Sequence, residues 1–183
     1  GDSIKLYFSE KVRTVVPVLS PEYPAHGGSV SPQPTLKVTF DQAVAISNIN
    51  KGITIKSSSN AVSVFGEDVH VLADGLTVII PVSGDQQLTV GEQHHLVIDH
   101  GLFEDAFGTV VPHIDTSESL FFTPATGVAV SVLSAFITTA GKWRVYFSQQ
   151  VSSPFGAGHA GVSYVHTSTA HLSSNAEHTL LIP

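Results

Sequence analysis

The residues best suited to chemistry lie in a short acidic loop, DHGLFEDAFG at 99–108. The loop places Asp99, Glu104 and Asp105 close together in the chain, and Ca²⁺ needs several oxygen ligands that converge from such a loop. The alternative is a turn, in which Asp105 accepts hydrogen bonds from its own backbone and Gly108 supplies a positive φ. We favour the turn because the loop lacks the dense aspartate array of an EF-hand. We therefore predict no metal or other cofactor, and these three carboxylates are the candidates if calcium binds.

Ten histidines form a second group of potential ligands. Histidine is the commonest metal ligand and titrates near neutral pH, so one interpretation is a site built from His94 or His100 with Asp99 and Glu104. No H-E-x-x-H or comparable ligand spacing is present, however. We interpret the histidines instead as uncharged polar residues that replace scarce lysine and arginine on the surface.

Composition narrows the possible functions. The chain has no cysteine, which excludes disulfides, thiol catalysis and Cys-ligated zinc. It also has no G-x-S-x-G nucleophile elbow, so we predict that it is not an enzyme. The formal net charge is -7 and no basic run occurs, which disfavours nucleic acid and anionic membrane surfaces as partners. No apolar run reaches the roughly 18 residues that span a bilayer, so we predict no membrane insertion in this segment.

The elements that position these residues are predicted to be β-strands. One nine-residue phrase occurs three times, as IKLYFSEKV at 4–12, LKVTFDQAV at 36–44 and WRVYFSQQV at 143–151. Apolar and polar residues alternate in each, which is typical of a half-buried strand. Turn-forming breakers between the apolar runs favour a β-sandwich. The predicted strands cover about 4–8, 16–19, 35–40, 53–56, 61–65, 68–72, 76–80, 94–99, 119–123, 128–135, 142–147, 162–166 and 179–182. VLADGLTVII at 71–80 is predicted to be a hairpin with its turn at Asp74-Gly75, and His94, Leu96 and Ile98 are predicted to share one face of their strand.

The alternation also predicts which residues face a core and which face a partner. Phe40 and Phe147 should point inward, and Trp143 shares the parity of Phe147. Tyr7 and Tyr146 should lie on the opposite, outward face, where they are candidate interface residues. A lone strand at 4–8 would have an unpaired edge that can pair with another chain. The predicted interface residues are therefore Ile4, Leu6, Phe8, Tyr7 and Tyr146.

The spacing of the phrase predicts three segments. After Phe40 the chain runs to TVIIP, ending at Pro81, and after Phe147 it runs to TLLIP, ending at Pro183. Residues 1–15 are predicted to be a strand segment of a preceding or partner unit. Residues 16–125 are predicted to form one whole β-sandwich unit, and residues 126–183 a second, partial unit.

The middle segment contains, in this order, Pro24 with Gly27-Gly28, TLKVTFDQAV at 35–44, His94-x-Leu96-x-Ile98, Asp105-x-x-Gly108 and LFFTP at 120–124. With these motifs it resembles the bacterial immunoglobulin-like (Big) domains that occur in tandem in S-layer proteins and adhesins. Two residues depart from that pattern, since His94 stands where the family favours tyrosine and Thr109 where it favours asparagine.

This resemblance implies an all-β fold of antiparallel immunoglobulin-like β-sandwich repeats, with FTPATG at 122–127 as the linker. It implies a non-catalytic structural or assembly module of an extracellular tandem-repeat surface protein, fibre or S-layer. The expected partners are neighbouring Ig-like units or copies of the chain itself. The alternatives are an adhesin or carbohydrate-binding module that contacts surface glycans, and an accessory domain of a secreted enzyme.

Overall fold

The computed structural model describes residues 16–83, 85–139, 142–150, 162–165 and 169–173. Within these ranges the regular secondary structure is β, which confirms the predicted all-β class. No helix long and apolar enough to cross a membrane occurs in the described part of the chain. The strands are β1 (Leu19–Tyr23), β2 (Ser29–Val30), β3 (Thr35–Phe40), β4 (Val44–Ile46), β5 (Gly52–Lys56), β6 (Ala61–Phe65), β7 (His70–Val71), β8 (Thr77–Pro81), β9 (His95–Ile98), β10 (Phe103–Asp105), β11 (Ile114–Asp115), β12 (Thr123–Pro124), β13 (Val132–Ile137), β14 (Lys142–Phe147), β15 (Val162–Val165) and β16 (Thr169–Ser173).

Strands β1–β12 form an N-terminal sandwich with two antiparallel four-stranded sheets. Their strand orders are β1-β3-β8-β7 and β11-β9-β5-β6. A two-stranded ribbon, β10-β4, and a short parallel pair, β12-β2, complete this part. This arrangement bears out the expected immunoglobulin-like β-sandwich.

The core of the sandwich follows from alternation along the strands. Leu36, Val38 and Phe40 of β3 are buried, as predicted for Phe40. The Phe40 ring packs edge-on against Phe103, with ring centroids 5.3 Å apart. In the opposite sheet, the predicted face of His94, Leu96 and Ile98 is fully buried. Both sheets thus contribute their period-two apolar faces to one core.

The predicted hairpin in VLADGLTVII is present, with β7 and β8 as its antiparallel arms. Asp74 closes the turn, since its Oδ1 accepts hydrogen bonds from the backbone N–H groups of Leu76 and Thr77, each at 2.9 Å. Gly75 has φ +68°, a left-handed conformation that glycine adopts without strain.

Some predicted boundaries were wrong. β1 begins at Leu19 and not at residue 16, and β2, β4, β10, β11 and β16 were not predicted. Val44, the last residue of the phrase, begins β4, where it pairs with Asp105. Pro124 is buried and belongs to β12, so the predicted linker at 122–127 contributes its first residues to the sandwich instead. These short strands pair with distant partners, which local periodicity does not reveal.

Strands β13–β16 form a C-terminal sheet with the order β13-β14-β16-β15. Its strand β14 carries the third copy of the phrase, and Val145 and Phe147 are buried there, as predicted for Phe147. They form a small cluster with Val130. The predicted strands at 4–8 and 179–182 and the Trp143 side chain lie outside what the structure describes.

Candidate functional site

The acidic loop is a structural turn. The Oδ1 atom of Asp105 accepts hydrogen bonds from the backbone N–H groups of Phe107 and Thr109, each at 2.8 Å. The hydrogen bond from the Thr109 backbone, followed by that from Phe107, holds the pKa of Asp105 below its usual value. Gly108 has φ +79° at the tip of the loop. The Asp105 carboxylate therefore organises its own loop, as in the turn interpretation.

The other two calcium candidates have separate protein partners. Asp99 accepts a hydrogen bond from the backbone N–H of Gly52 through Oδ2, at 3.0 Å. The Oε2 atom of Glu104 accepts one from the Ser47 hydroxyl at 2.9 Å. No group of three or more His, Cys, Asp or Glu side chains that could hold a metal ion occurs in the described residues. The structure thus does not bring Asp99, Glu104 and Asp105 together as a calcium site.

The histidines are dispersed, and not all of them are surface residues. His94 is fully buried and its ring stacks on Phe122 with centroids 6.2 Å apart. Its Nδ1 lies 3.0 Å from the Glu92 carbonyl oxygen, whereas its Nε2 has no hydrogen-bond partner in the described part of the molecule. The interpretation of every histidine as a surface residue is therefore wrong for His94, which serves as a core ring.

The C-terminal sheet meets the sandwich through backbone hydrogen bonds and side chains. The Thr35 N–H donates to the Ser148 carbonyl at 2.9 Å, and Pro34 and Gln149 form an antiparallel bridge. Ser148 also forms a hydrogen bond within the C-terminal part, since its N–H donates to the Ser131 carbonyl at 2.8 Å. The end of β14 therefore runs beside the start of β3.

A row of aromatic rings continues this contact. The Tyr146 ring lies 5.8 Å from the His70 ring and 6.2 Å from the Phe136 ring, measured between centroids. Tyr146, predicted as an outward-facing interface residue, is only 2% exposed. It does lie on the face opposite the Val145–Phe147 core, but that face is covered. The residues joined here are called the inter-sheet contact: Pro34, Thr35, His70, Phe136, Arg144, Tyr146, Ser148 and Gln149.

The sandwich face at this contact is the outer face of its first sheet. Lys37, Ile79 and His70 are consecutive cross-strand partners on β3, β8 and β7, so they share that face. Ile79 points away from the sandwich core and yet is 0% exposed. An apolar, covered residue on an outer face marks a surface built for packing and not for solvent.

The comparisons with known proteins agree with this architecture. A model of the bacterial Ig-like domain family (Big_5) matches residues 13–124. The chain belongs to this family. Bacterial Ig-like domains are typically non-catalytic modules, and they are typical of bacterial surface proteins. Comparison with curated proteins and with solved structures gave no match.

Two residues of the inter-sheet contact, His70 and Tyr146, have shifted pKa values. Burial, and then the nearby Arg144 guanidinium, lower the pKa of His70, although Asp68 opposes the shift. Burial raises the pKa of the Tyr146 hydroxyl, and a hydrogen bond with Arg144 opposes that shift. His70, Arg144 and Tyr146 therefore form one partly desolvated polar group between the two sheets.

Sequence reasoning identified Tyr146 as an interface candidate but missed His70 and Arg144. A signal was available for Arg144, since it is one of two arginines in the chain and stands within an apolar strand. His70 had no comparable signal, because its role depends on a strand about 75 residues away. The predicted interface residues Ile4, Leu6, Tyr7 and Phe8 lie outside the described residues.

Proposed function

We propose that this protein is a non-catalytic structural and assembly module of an extracellular tandem-repeat surface protein, such as a fibre or an S-layer. The observation that carries the proposal is a repeated strand order. The first sheet of the sandwich has the order β1-β3-β8-β7, and the C-terminal sheet has β13-β14-β16-β15. In both, the strand with the recurring phrase, β3 or β14, occupies the second position.

The repeated order supports tandem Ig-like units. The N-terminal neighbour of the phrase strand pairs with it antiparallel in both sheets, as β1 with β3 and β13 with β14. The later strand on its other side is also antiparallel in both, as β3 with β8 and β14 with β16. A shared phrase in a shared topological position is the relation expected between successive repeats of one fold.

The inter-sheet contact supports a role in spacing. Successive domains joined by a flexible linker alone reorient freely, whereas a packed contact restricts them. Here the backbone hydrogen bond between Thr35 and Ser148 and the buried Tyr146 ring join the two parts directly. A surface fibre needs such restriction because it must keep its binding or assembly surfaces at a fixed distance from the cell.

The partners of such a module are neighbouring Ig-like units or further copies of the chain. The phrase at 4–8, which contains Ile4, Leu6, Tyr7 and Phe8, is the segment we assign to contact with another unit. Edge strands associate through backbone hydrogen bonds, and alternate side chains fix the register. An extracellular or cell-surface location follows from this role.

The orientation of the two sheets provides the test. Because the chain has no cysteine, two can be introduced for spin labels, as Glu118→Cys in the sandwich and Ala135→Cys in the C-terminal sheet. Both positions are exposed. Double electron–electron resonance should give a narrow distance distribution, and Tyr146→Ala should broaden it because the buried ring is removed.

Phe107→Ala is the matched control. Phe107 is an aromatic residue that is 91% exposed and lies outside the inter-sheet contact, so its loss should leave the distribution narrow. A broad distribution in the unsubstituted chain would contradict the spacing role, since the two sheets would then reorient independently.

A further inference from the structure

We propose that the cleft at the inter-sheet contact binds a small monocarboxylic acid with an apolar body, and that Arg144 holds the carboxylate. The cleft has a volume of about 620 Å³ and lies between the sandwich and the C-terminal sheet. The proposal rests on the proposed function only in that it requires the two sheets to be in contact.

The first observation is the chemistry of the cleft walls. Val44, Ala45 and Ile46 of β4 line one side, together with the apolar residues that flank His70. Phe136 and the largely buried Tyr146 line the other side. Ligand sites commonly combine an apolar lining with a few polar groups that fix orientation. This lining fits the hydrocarbon or aromatic body of a small molecule.

The second observation is a cation with incomplete hydrogen bonding. The Nε atom of Arg144 is buried and has no hydrogen-bond partner in the part of the chain that the structure describes. Neither ion pair of the described residues, Lys37–Glu22 or His95–Asp115, involves Arg144. A buried guanidinium donor without an acceptor is unfavourable. Arg144 also lines the cleft, so a carboxylate that turns the guanidinium toward the cleft supplies the missing acceptor.

Charge around the cleft specifies an anion. His70 and Arg144 are its basic lining residues, and none of the described lining residues is acidic. A lining with basic residues and no acidic residue contrasts with the formal net charge of -7 of the whole chain. Arginine presents a planar fork of N–H donors that matches a carboxylate in a bidentate geometry. The cleft thus offers the complement of a carboxylate.

The same features favour a monoanion over a phosphate. Burial and the Arg144 guanidinium lower the pKa of His70, which favours its uncharged form and leaves Arg144 as the main positive charge of the lining. One full positive charge in an apolar cleft balances one carboxylate, whereas a phosphate dianion would be left partly uncompensated and desolvated. His70 can still donate or accept a hydrogen bond as the neutral ring.

The test is a titration of the ¹⁵N-labelled chain with phenylacetate, followed by amide chemical shifts in NMR spectra. Shifts should concentrate on His70, Phe136 and Tyr146. The uncharged analogue phenylacetamide should bind at least tenfold more weakly, because it cannot form the charge-assisted pair. Inorganic phosphate should produce no saturable shift at these residues.

Arg144→Gln should weaken phenylacetate binding about tenfold to a hundredfold, as expected for loss of a charged hydrogen-bond partner worth about 1.5–3 kcal/mol. Arg144→Lys should restore part of that loss, since the charge returns without the planar fork. The control Lys51→Gln removes an exposed positive charge elsewhere and should leave the affinity unchanged.

Two results would contradict the proposed carboxylate site. One is equal binding of phenylacetate and phenylacetamide, and the other is unchanged affinity in Arg144→Gln. The spin-label distances separate this failure from failure of the proposed function. A narrow distribution with no phenylacetate binding rejects the site alone, whereas a broad distribution rejects the contact on which both proposals depend.

Discussion

The first sheet of the sandwich and the C-terminal sheet contain the same strand phrase in the same topological position, but in different surroundings. The inward residues of β3 face a second sheet, and Phe40 packs against Phe103 of the adjoining ribbon. The equivalent residues of β14, Val145 and Phe147, cluster with Val130 in the described part of the chain. The phrase therefore determines a strand and its pairing, whereas an extensive core depends on residues supplied by other strands.

The outward residues of β3 and β14 also have different surroundings. Lys37 on β3 forms an ion pair with Glu22 at 2.6 Å, a polar arrangement at the surface. Its counterpart in the phrase, Arg144, lies in a cleft with Phe136 and Tyr146. The counterpart of Thr39 is Tyr146, which is buried against His70. The same outward positions of the phrase thus carry an ion pair in one sheet and an aromatic contact in the other.

The largest expected effect comes from truncating the equivalent inward phenylalanines. Phe40→Ala should lower the free energy of unfolding of the sandwich by about 3–5 kcal/mol, because it leaves a cavity in a close-packed core. Phe147→Ala should leave the unfolding of the sandwich nearly unchanged and destabilise mainly the C-terminal sheet. Denaturation followed by far-UV circular dichroism reports both regions, whereas the fluorescence of Trp143, the single tryptophan, reports the C-terminal sheet.

Equal shifts of both signals in both variants would contradict this difference between the regions. That result would mean that the two sheets unfold as one cooperative unit. The distinction between a complete sandwich and a dependent sheet would then be wrong as a description of stability.

Local pattern was enough to predict the all-β class, the buried faces and the Asp74 turn, because each depends on residues close together in the chain. Alternation identified Phe40, Leu96 and Ile98 as core residues, and the loop composition gave the correct interpretation of Asp105 as a turn residue. The short strands β4 and β10 were missed because each is defined by a partner nearly 60 residues away.

The candidate site was predicted less well for the same reason. Tyr146 was placed on the correct side of its strand, but its burial depends on His70, which no local pattern connects to it. The cleft needs both sheets, and the sequence gives no direct signal for how one sheet packs on the outer face of another.

A smaller loss of stability should follow from a substitution beside the second sheet of the sandwich. This sheet, β11-β9-β5-β6, has no counterpart packed on the C-terminal sheet in the described part of the chain. Thr116 is buried, and its hydroxyl accepts a hydrogen bond from the Leu96 N–H at 2.9 Å. Thr116→Val keeps the shape but leaves that N–H without an acceptor, so it should cost about 1–3 kcal/mol. The circular dichroism transition should shift to lower denaturant.

Ser117→Ala is the control for Thr116→Val, since Ser117 is exposed and keeps the hydrogen bond from its backbone N–H to Asp115. The hydroxyl that it loses contacts the exposed Asp115 carboxylate, where water can replace it. The control should remain close to the unsubstituted protein. A Trp143 transition that moved as far as the circular dichroism transition in Thr116→Val would show that the second sheet also supports the C-terminal sheet.

The smallest effect we expect to resolve is a difference in acid sensitivity between the two regions. Hydrogen bonds from the Ser59 and Ser57 hydroxyls lower the pKa of Glu92 below 4.5, and the Thr109 and Phe107 backbones lower that of Asp105 below 3.8. Their stabilising effect is present above these ordinary values and is lost as pH falls through the lowered values of the folded state. Residues 126–183 contain a single acidic residue, Glu177.

Lowering the pH from 5 to 3 should therefore destabilise the sandwich more than the C-terminal sheet. Histidines of ordinary pKa are already charged at pH 5, so carboxylates dominate this interval. Thermal unfolding followed by circular dichroism and by Trp143 fluorescence checks the difference. Asp105→Asn should reduce the loss for the sandwich, because an amide cannot take up the proton that breaks the loop. If both signals fell equally, the carboxylate hydrogen bonds would not account for acid stability, and the electrostatic contrast between the two regions would fail even if their packing contrast held.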